Sequence, residues 1–226
     1  MTDLAGGRAR NGALPTALIA WCLGTAGCSH AVVVRPAPSY DAFTFETPLP
    51  ASAAVFVDAD QLLREVHVVP HPSGDGEHCI GSRYPVDARE ALEVSVLSTL
   101  ERLVRRVEPV SAPPDGETMQ ARGLDSVIVV RVDTFHAGLA SGALQTFQAG
   151  VELTLSVSAF TRDGLKLREV VLGNGTRHRS GDLCDTGAEV LGHTVEAAIE
   201  DAMTELGEVV ANSHELRGSL AAREFR

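Results

Sequence analysis

"GVELTLSVSAF", residues 150–160, followed by "TRDG" at 161–164, decides the fold class. Val151, Leu153, Leu155, Val157 and Ala159 alternate without error with Glu152, Thr154, Ser156 and Ser158. Side chains along a strand point to opposite faces with a period of two, so this pattern predicts one buried face and one wet face, as in an antiparallel sheet. The Asp163-Gly164 pair is a hairpin turn signal. "LKLREVVL" at 165–172 then returns as the partner strand, with its alternation slipping near Arg168 and Glu169.

Working outward, "LDSVIVVRVDTFHA" at 124–137 is too dense in Val and Ile for a surface helix and reads as a central strand. "AAVFVDA" at 53–59 and "REVHVVP" at 64–70 are short, β-branched and closed by turn signals, so they read as two further strands. "HPSGDGEHCIG" at 71–81 is a loop by composition. Asp87 and Glu90 have capping-box spacing, and Leu92, Val96, Leu100, Leu103 and Val107 follow as one apolar stripe, which predicts a helix over 87–108 ending before Pro109. Thr186 and Glu189 repeat that spacing, and Leu191, Val195, Ala198, Ala202, Leu206 and Val210 make the core face of a long C-terminal helix. The last residues, "RGSLAAREFR", are expected to fray. This order predicts an α+β fold, a single mostly antiparallel sheet with two helices packed on one face, over a body of residues 53–212 with a flexible tail at 213–226.

Composition excludes several function classes. Across 226 residues, 19 Lys+Arg oppose 30 Asp+Glu for a net charge of −11, and Lys166 is the one lysine. A basic nucleic-acid footprint is missing, so no nucleic acid is expected as a partner. No nucleophile-elbow, zinc-protease or phosphate-loop motif is present, so neither catalytic residues nor a cofactor is predicted. His67 and His71 stand four apart, but Pro70 between them rules out a regular helix, and solvated loop histidines are the plainer reading than a metal pair. Asp58 and Asp60 fit the end of a strand better than a hydrolase acid pair, and "GNGT" at 173–176 reads as a turn.

The N-terminus carries an address. Arg8 and Arg10 supply positive charge, Ala13 to Leu23 an apolar run, and Gly24 to Gly27 a small-residue segment directly before Cys28. That is the layout of a secretory signal, and the uncharged run is shorter than the roughly 20 residues a membrane-spanning helix needs. Thr25-Ala26-Gly27-Cys28 resembles the lipobox of bacterial lipoproteins, with Thr25 where the family favours Leu. The resemblance implies that residues 1–27 are a cleaved signal peptide and that Cys28 is acylated. An ordinary secretory signal cut near Ala26 and a buried N-terminal helix are the competing readings. Loss of Arg8, Arg10 and Asp3 with the leader would move the net charge from −11 to −12, so attachment to the membrane would come from acyl chains rather than from charge. Ser29 in place of Asp after the lipidated cysteine implies, by the same resemblance, sorting to the periplasmic face of the outer membrane.

Pro36, Pro38, Pro48 and Pro50 favour extended chain, so residues 28–52 read as lipid anchor and tether, with an edge strand over Ala31 to Val34 as the alternative. In the layout of lipobox, helix at 87–108, hairpin with "RDG" at its tip and terminal helix, the chain resembles the small α+β envelope lipoproteins. These include the lipopolysaccharide-assembly lipoprotein and the auxiliary lipoproteins of envelope ABC transporters.

With Cys22 in the leader and Cys28 acylated, two thiols remain, Cys79 and Cys184. An even pair in an oxidising compartment predicts a disulfide; a zinc site of His78, Cys79, His178 and Cys184, or free thiols, are the alternatives. The expected function is that of a non-enzymatic, lipid-anchored periplasmic module binding a protein partner in an envelope transport or assembly machine. A small lipid-anchored hydrolase or metal-binding protein is the rival. The Thr154 and Ser156 face, with Arg131 and Asp133 beside it if the pairing allows, is the predicted partner-binding surface.

Overall fold

A computed structural model describes residues 28–39, 48–70, 79–142, 145–181 and 183–224, with backbone alone at 221–224. The leader, residues 40–47 of the predicted tether, His71 and His78 lie outside the described residues. The elements run β1 (Leu49–Asp58), a short 3-10 turn (Asp60–Leu62), β2 (Leu63–Pro70), β3 (Arg83–Asp87), α1 (Arg89–Leu103), β4 (Val104–Pro109), α2 (Gly116–Ala121), β5 (Ser126–Gly142), β6 (Thr146–Thr161), β7 (Gly164–Ser180), α3 (Cys184–Asn212) and α4 (His214–Glu224).

The alternation of residues 150–160 is realised in β6: Val151, Leu153, Leu155, Val157 and Ala159 are 0 to 2% exposed. The predicted hairpin turn joins β6 to β7, and Gly164 takes φ +107° there, a conformation open to residues without Cβ. β5 is the spine of a seven-stranded sheet. One of its edges carries all of β6, antiparallel; its other edge is divided, residues 126–131 pairing with β1 and residues 139–141 with β2. Between Val132 and Thr134 a bulge at Asp133 inserts one residue. The extra residue flips the phase, so the core-facing set changes from Ile128, Val130 and Val132 to Phe135 and Leu139.

The sheet is mixed rather than purely antiparallel, its two longest ladders being antiparallel. β1–β4, β1–β5 and β2–β5 are parallel ladders, while β2–β3, β5–β6 and β6–β7 are antiparallel. Part of the parallel content comes from a segment predicted as helix. Leu92, Val96, Leu100 and Leu103 are buried as the stripe requires, but α1 ends at Leu103 and Val104–Pro109 turns extended to become β4 beside β1. The β-branched Val104 and Val107 lose little there, and ladder hydrogen bonds replace those of the helix.

Neither capping box forms. Asp87 is the last residue of β3, its carboxylate held by the Arg89 guanidinium at 2.7 and 2.8 Å, and Ala88 takes the N-cap of α1. That guanidinium, and the Arg89 N–H with it, holds the Asp87 carboxyl below its usual range. α3 starts at Cys184 with Leu183 as N-cap, ahead of Thr186.

α1, α3 and α4 contribute buried side chains to one core cluster on one face of the sheet. The tail predicted to fray is α4, with Leu216 and Leu220 1% and 3% exposed. Burial of two leucines is worth about 2 kcal/mol each, enough to dock a short helix. α3 lies unusually close to β7. A Cβ on Gly173 would collide with the Ala198 carbonyl oxygen and one on Gly175 with that of Thr194, so "GNGT" is strand that admits a helix backbone rather than a turn. The outer-edge N–H groups of Leu172 and Asn174 donate to the carboxylates of Glu205 and Asp201 on α3.

Residues 28–39 form no helix and, beyond one bridge, no strand, and they are packed on the body. Arg83 N–H donates to the Cys28 carbonyl at 3.0 Å, and His30 N–H to the Arg83 carbonyl at 2.9 Å, extending the sheet past β3 at a bridge between Ser29 and Arg83. Val32 is buried, Arg35 N–H donates to Glu196, and Ala37 N–H to the Ser95 hydroxyl of α1. The pairing is a bridge at Ser29, ahead of Ala31 to Val34, which form no strand, and we call this packed segment the strap.

Candidate functional site

The two faces of the sheet are unequally covered. Against the second face stands α2, which packs Met119 and the following Leu124 on Ala54 and Val127. Asp115 caps α2 by accepting from the Thr118 N–H, which holds the Asp115 carboxyl below its usual range. Beyond that corner the face carries Thr154, Ser156 and Ser158 half-buried, and Glu152 exposed.

Register places the neighbours. Ser156 lies between Arg131 and Val170, and Thr154 between Thr134 and Leu172. Ser156 Oγ donates to Asp133 Oδ1 at 3.1 Å, so the bulge residue presents its carboxylate to the middle of the face. Arg131 Nε donates to Asp58 Oδ2 at 3.1 Å. The expected grouping of Thr154 and Ser156 with Arg131 and Asp133 is therefore present. Sequence reading missed the apolar side of it: Val170 is 55% and Leu172 50% exposed. The apparent slip at Arg168 and Glu169 is not one in the strand: Leu167 and Val171 keep a single buried phase, which leaves Val170 and Leu172 in line with Arg168 on the outward face.

Further along the face, Gly138 and Gly150 stand opposite one another and leave a hollow of about 470 Å³, rimmed by Arg64, His136, Glu152 and Asn174. Arg64 Nη1 donates to the Phe135 carbonyl at 2.6 Å, which holds that guanidinium at the rim.

The residues weighed for metal or acid chemistry do not converge. Asp58 is engaged by Arg131, Asp60 opens the 3-10 turn, and His67 pairs with Glu65 at 3.2 Å on β2. His178 is exposed on β7, opposite Gln148. Among the described residues no group of three or more His, Cys, Asp or Glu side chains could hold a metal ion.

Cys79 and Cys184 are joined in a disulfide, with Cα atoms 5.6 Å apart, so neither thiolate is available to the alternative zinc set. The bond ties the turn before β3 to the first residue of α3. Around it, the Tyr84 hydroxyl donates to the Cys184 carbonyl at 3.0 Å and the His30 ring stacks on Tyr84 at 5.4 Å. Burial, assisted by the nearby Asp185 carboxylate and opposed by a hydrogen bond with Ser82, raises the Tyr84 phenol above its usual value. Cys28 is exposed, and among the described residues it is a free cysteine.

No protein-family model matches the chain, and no curated protein sequence matches it. Among solved structures, it is similar to a DUF330 protein from Xanthomonas campestris at 16% identity and TM-score 0.44, over 86% of this chain and 99% of that one. It is similar also to a neuraminyllactose-binding hemagglutinin homolog from Helicobacter pylori at 9% identity and TM-score 0.39, over 80% and 97% of the two chains. A third is PelC, a dodecamer from Paraburkholderia phytofirmans, at 15% identity and TM-score 0.34 over 82% and 94%. The likeness is loose, with every one of these TM-scores below 0.5.

Proposed function

We propose that this chain is a non-enzymatic binding module, anchored through acyl chains on Cys28 to the periplasmic face of the outer membrane. There it docks a protein of an envelope transport or assembly machine on its open sheet face. One observation carries the docking reading: three helices cover one face of the sheet, while the other presents half-exposed Val170 and Leu172 beside the Thr154 and Ser156 hydroxyls. Hydroxyls cost little to desolvate when they meet new partners, and the adjacent exposed apolar side chains gain from burial against one. The anchor is supported by the basic, apolar and small-residue order before Cys28, by the exposure of that cysteine, and by a disulfide of the kind that oxidising compartments sustain.

The test has two arms. A photo-crosslinking residue at position 154 should trap a discrete envelope protein in intact cells, whereas one at Glu93, exposed on α1, should not; equal trapping from both positions overturns the docking reading. Palmitate label should enter the native chain and be lost in Cys28→Ala, and label retained by that variant overturns the anchor.

A further inference from the structure

The strap leaves no slack between the anchor and the body. Cys28 is tied by its own carbonyl to the Arg83 N–H at 3.0 Å, the next two residues continue the pairing with β3, and Val32 is buried. Acyl chains on Cys28 therefore reach a bilayer only if that end of the body touches it.

Several elements gather at that end. The disulfide joins Cys79, which precedes exposed Ile80 (49%), to Cys184, which follows exposed Leu183 (62%). Gly181 N–H donates to the Gln145 carbonyl, and Thr146 pairs with Ser180, so the start of β6 and the end of β7 lie at the same end. Arg83 and Arg177 are exposed there. The acidic side chains of the first turns of α3 are engaged, Asp185 by His30 at 2.6 Å and Glu189 by Arg179 at 2.6 Å. The exposed apolar side chains of Ile80 and Leu183, with Arg83 and Arg177 able to reach headgroups, give this end side chains that a lipid interface can bury, although Asp75, Glu77 and Asp182 are its neighbours in sequence.

We infer that Ile80 and Leu183, on either side of the disulfide, rest in the headgroup and upper acyl region of the bilayer that Cys28 anchors, and so fix the domain's orientation on the membrane. This rests on the lipoprotein reading. The long axis of β6 and β7 then points away from the membrane, and the Phe160 end of the sheet stands about 45 Å from the Thr146 end at 3.3 Å per residue.

The experiment uses the acylated protein purified from membranes and returned to vesicles of phosphatidylethanolamine and phosphatidylglycerol. Trp21, the sole tryptophan of the chain, leaves with the predicted leader, so an introduced indole reports alone. With vesicles brominated high in the acyl chains, emission of Leu183→Trp should fall about twofold, as expected for a side chain 5–10 Å into the interface. Phe160→Trp should keep its emission. Ile80→Trp gives a second reading of the same contact should Leu183→Trp fail to fold. Acylated protein whose emission is unquenched at both positions overturns this orientation and leaves the lipoprotein reading standing. Mass spectrometry that finds no acyl group on Cys28 overturns that reading and this inference with it.

Discussion

His30 Nδ1 stands 2.6 Å from Asp185 Oδ1 across 155 residues of sequence, fastening the strap to the first turn of α3. The same ring stacks on Tyr84. His30→Ala removes both contacts at once. The strap amides that donate into β3, those of His30 and Val32, should then exchange with solvent roughly fivefold faster, the equilibrium equivalent of about 1 kcal/mol. Amides in the centre of β6 should not change, and native-state hydrogen exchange separates the two groups.

The Cys79–Cys184 bond closes a loop spanning 105 residues. Chain entropy for a loop of that size gives up to about 5 kcal/mol, and realised values run about 2–4. The Cys79→Ala, Cys184→Ala double variant should lose about 3 kcal/mol, a fall in Tm of about 8 °C for a domain of this size. A thermal scan of the native protein with and without reductant should show the same fall.

Gly173→Ala should be strongly destabilising although alanine is a small residue. Its Cβ would strike the Ala198 carbonyl oxygen, so α3 must move off the sheet, an overpacking cost of about 2 kcal/mol or more. Gly150→Ala is the matched control: it lies in β6 with nothing within 4 Å of the added carbon, and denaturant titration should find it within about 0.5 kcal/mol of the native protein.

Thr154→Lys with Ser156→Lys places two cations at the middle of the proposed docking face. Both side chains are only half-buried, so Tm should stay within about two degrees, the usual scale of surface changes. Recovery of the partner in a crosslinked pull-down from membranes should fall by at least tenfold. Unchanged recovery would move attention from this face to the exposed edge of β4.

The sequence made legible what depends on local periodicity. β6 and its hairpin, the apolar stripes of α1 and α3, and the disulfide follow from residues that are near one another or few in number. What it hid depends on distant partners. Val104 and Val107 continue the α1 stripe in spacing, yet β1 offers a parallel ladder that no local pattern encodes. Asp87 and Glu90 have the spacing of a capping box, but Asp87 is claimed by the pairing of β3 with Leu63. Gly173 and Gly175 look like turn residues until a helix is known to cross them. Leu216 and Leu220, four apart in a segment read as tail, were a helical signal of just two positions. The Thr154 and Ser156 face was legible as a wet surface, but its apolar half, Val170 and Leu172, emerges only from the register of β7.

The carboxylates of Glu205 and Asp201 bear on the chain's behaviour at high concentration. An exposed edge strand offers its backbone as a template on which foreign chains can polymerise. β7 is the last strand on its side of the sheet, and its Leu172 and Asn174 donors are already occupied by α3. An incoming strand would have to displace two negatively charged acceptors and then accept their repulsion. The helix that packs beside this edge therefore withholds two of its donors from sheet growth, and Glu205→Ala with Asp201→Ala should aggregate faster in a light-scattering assay while leaving the core side chains in place.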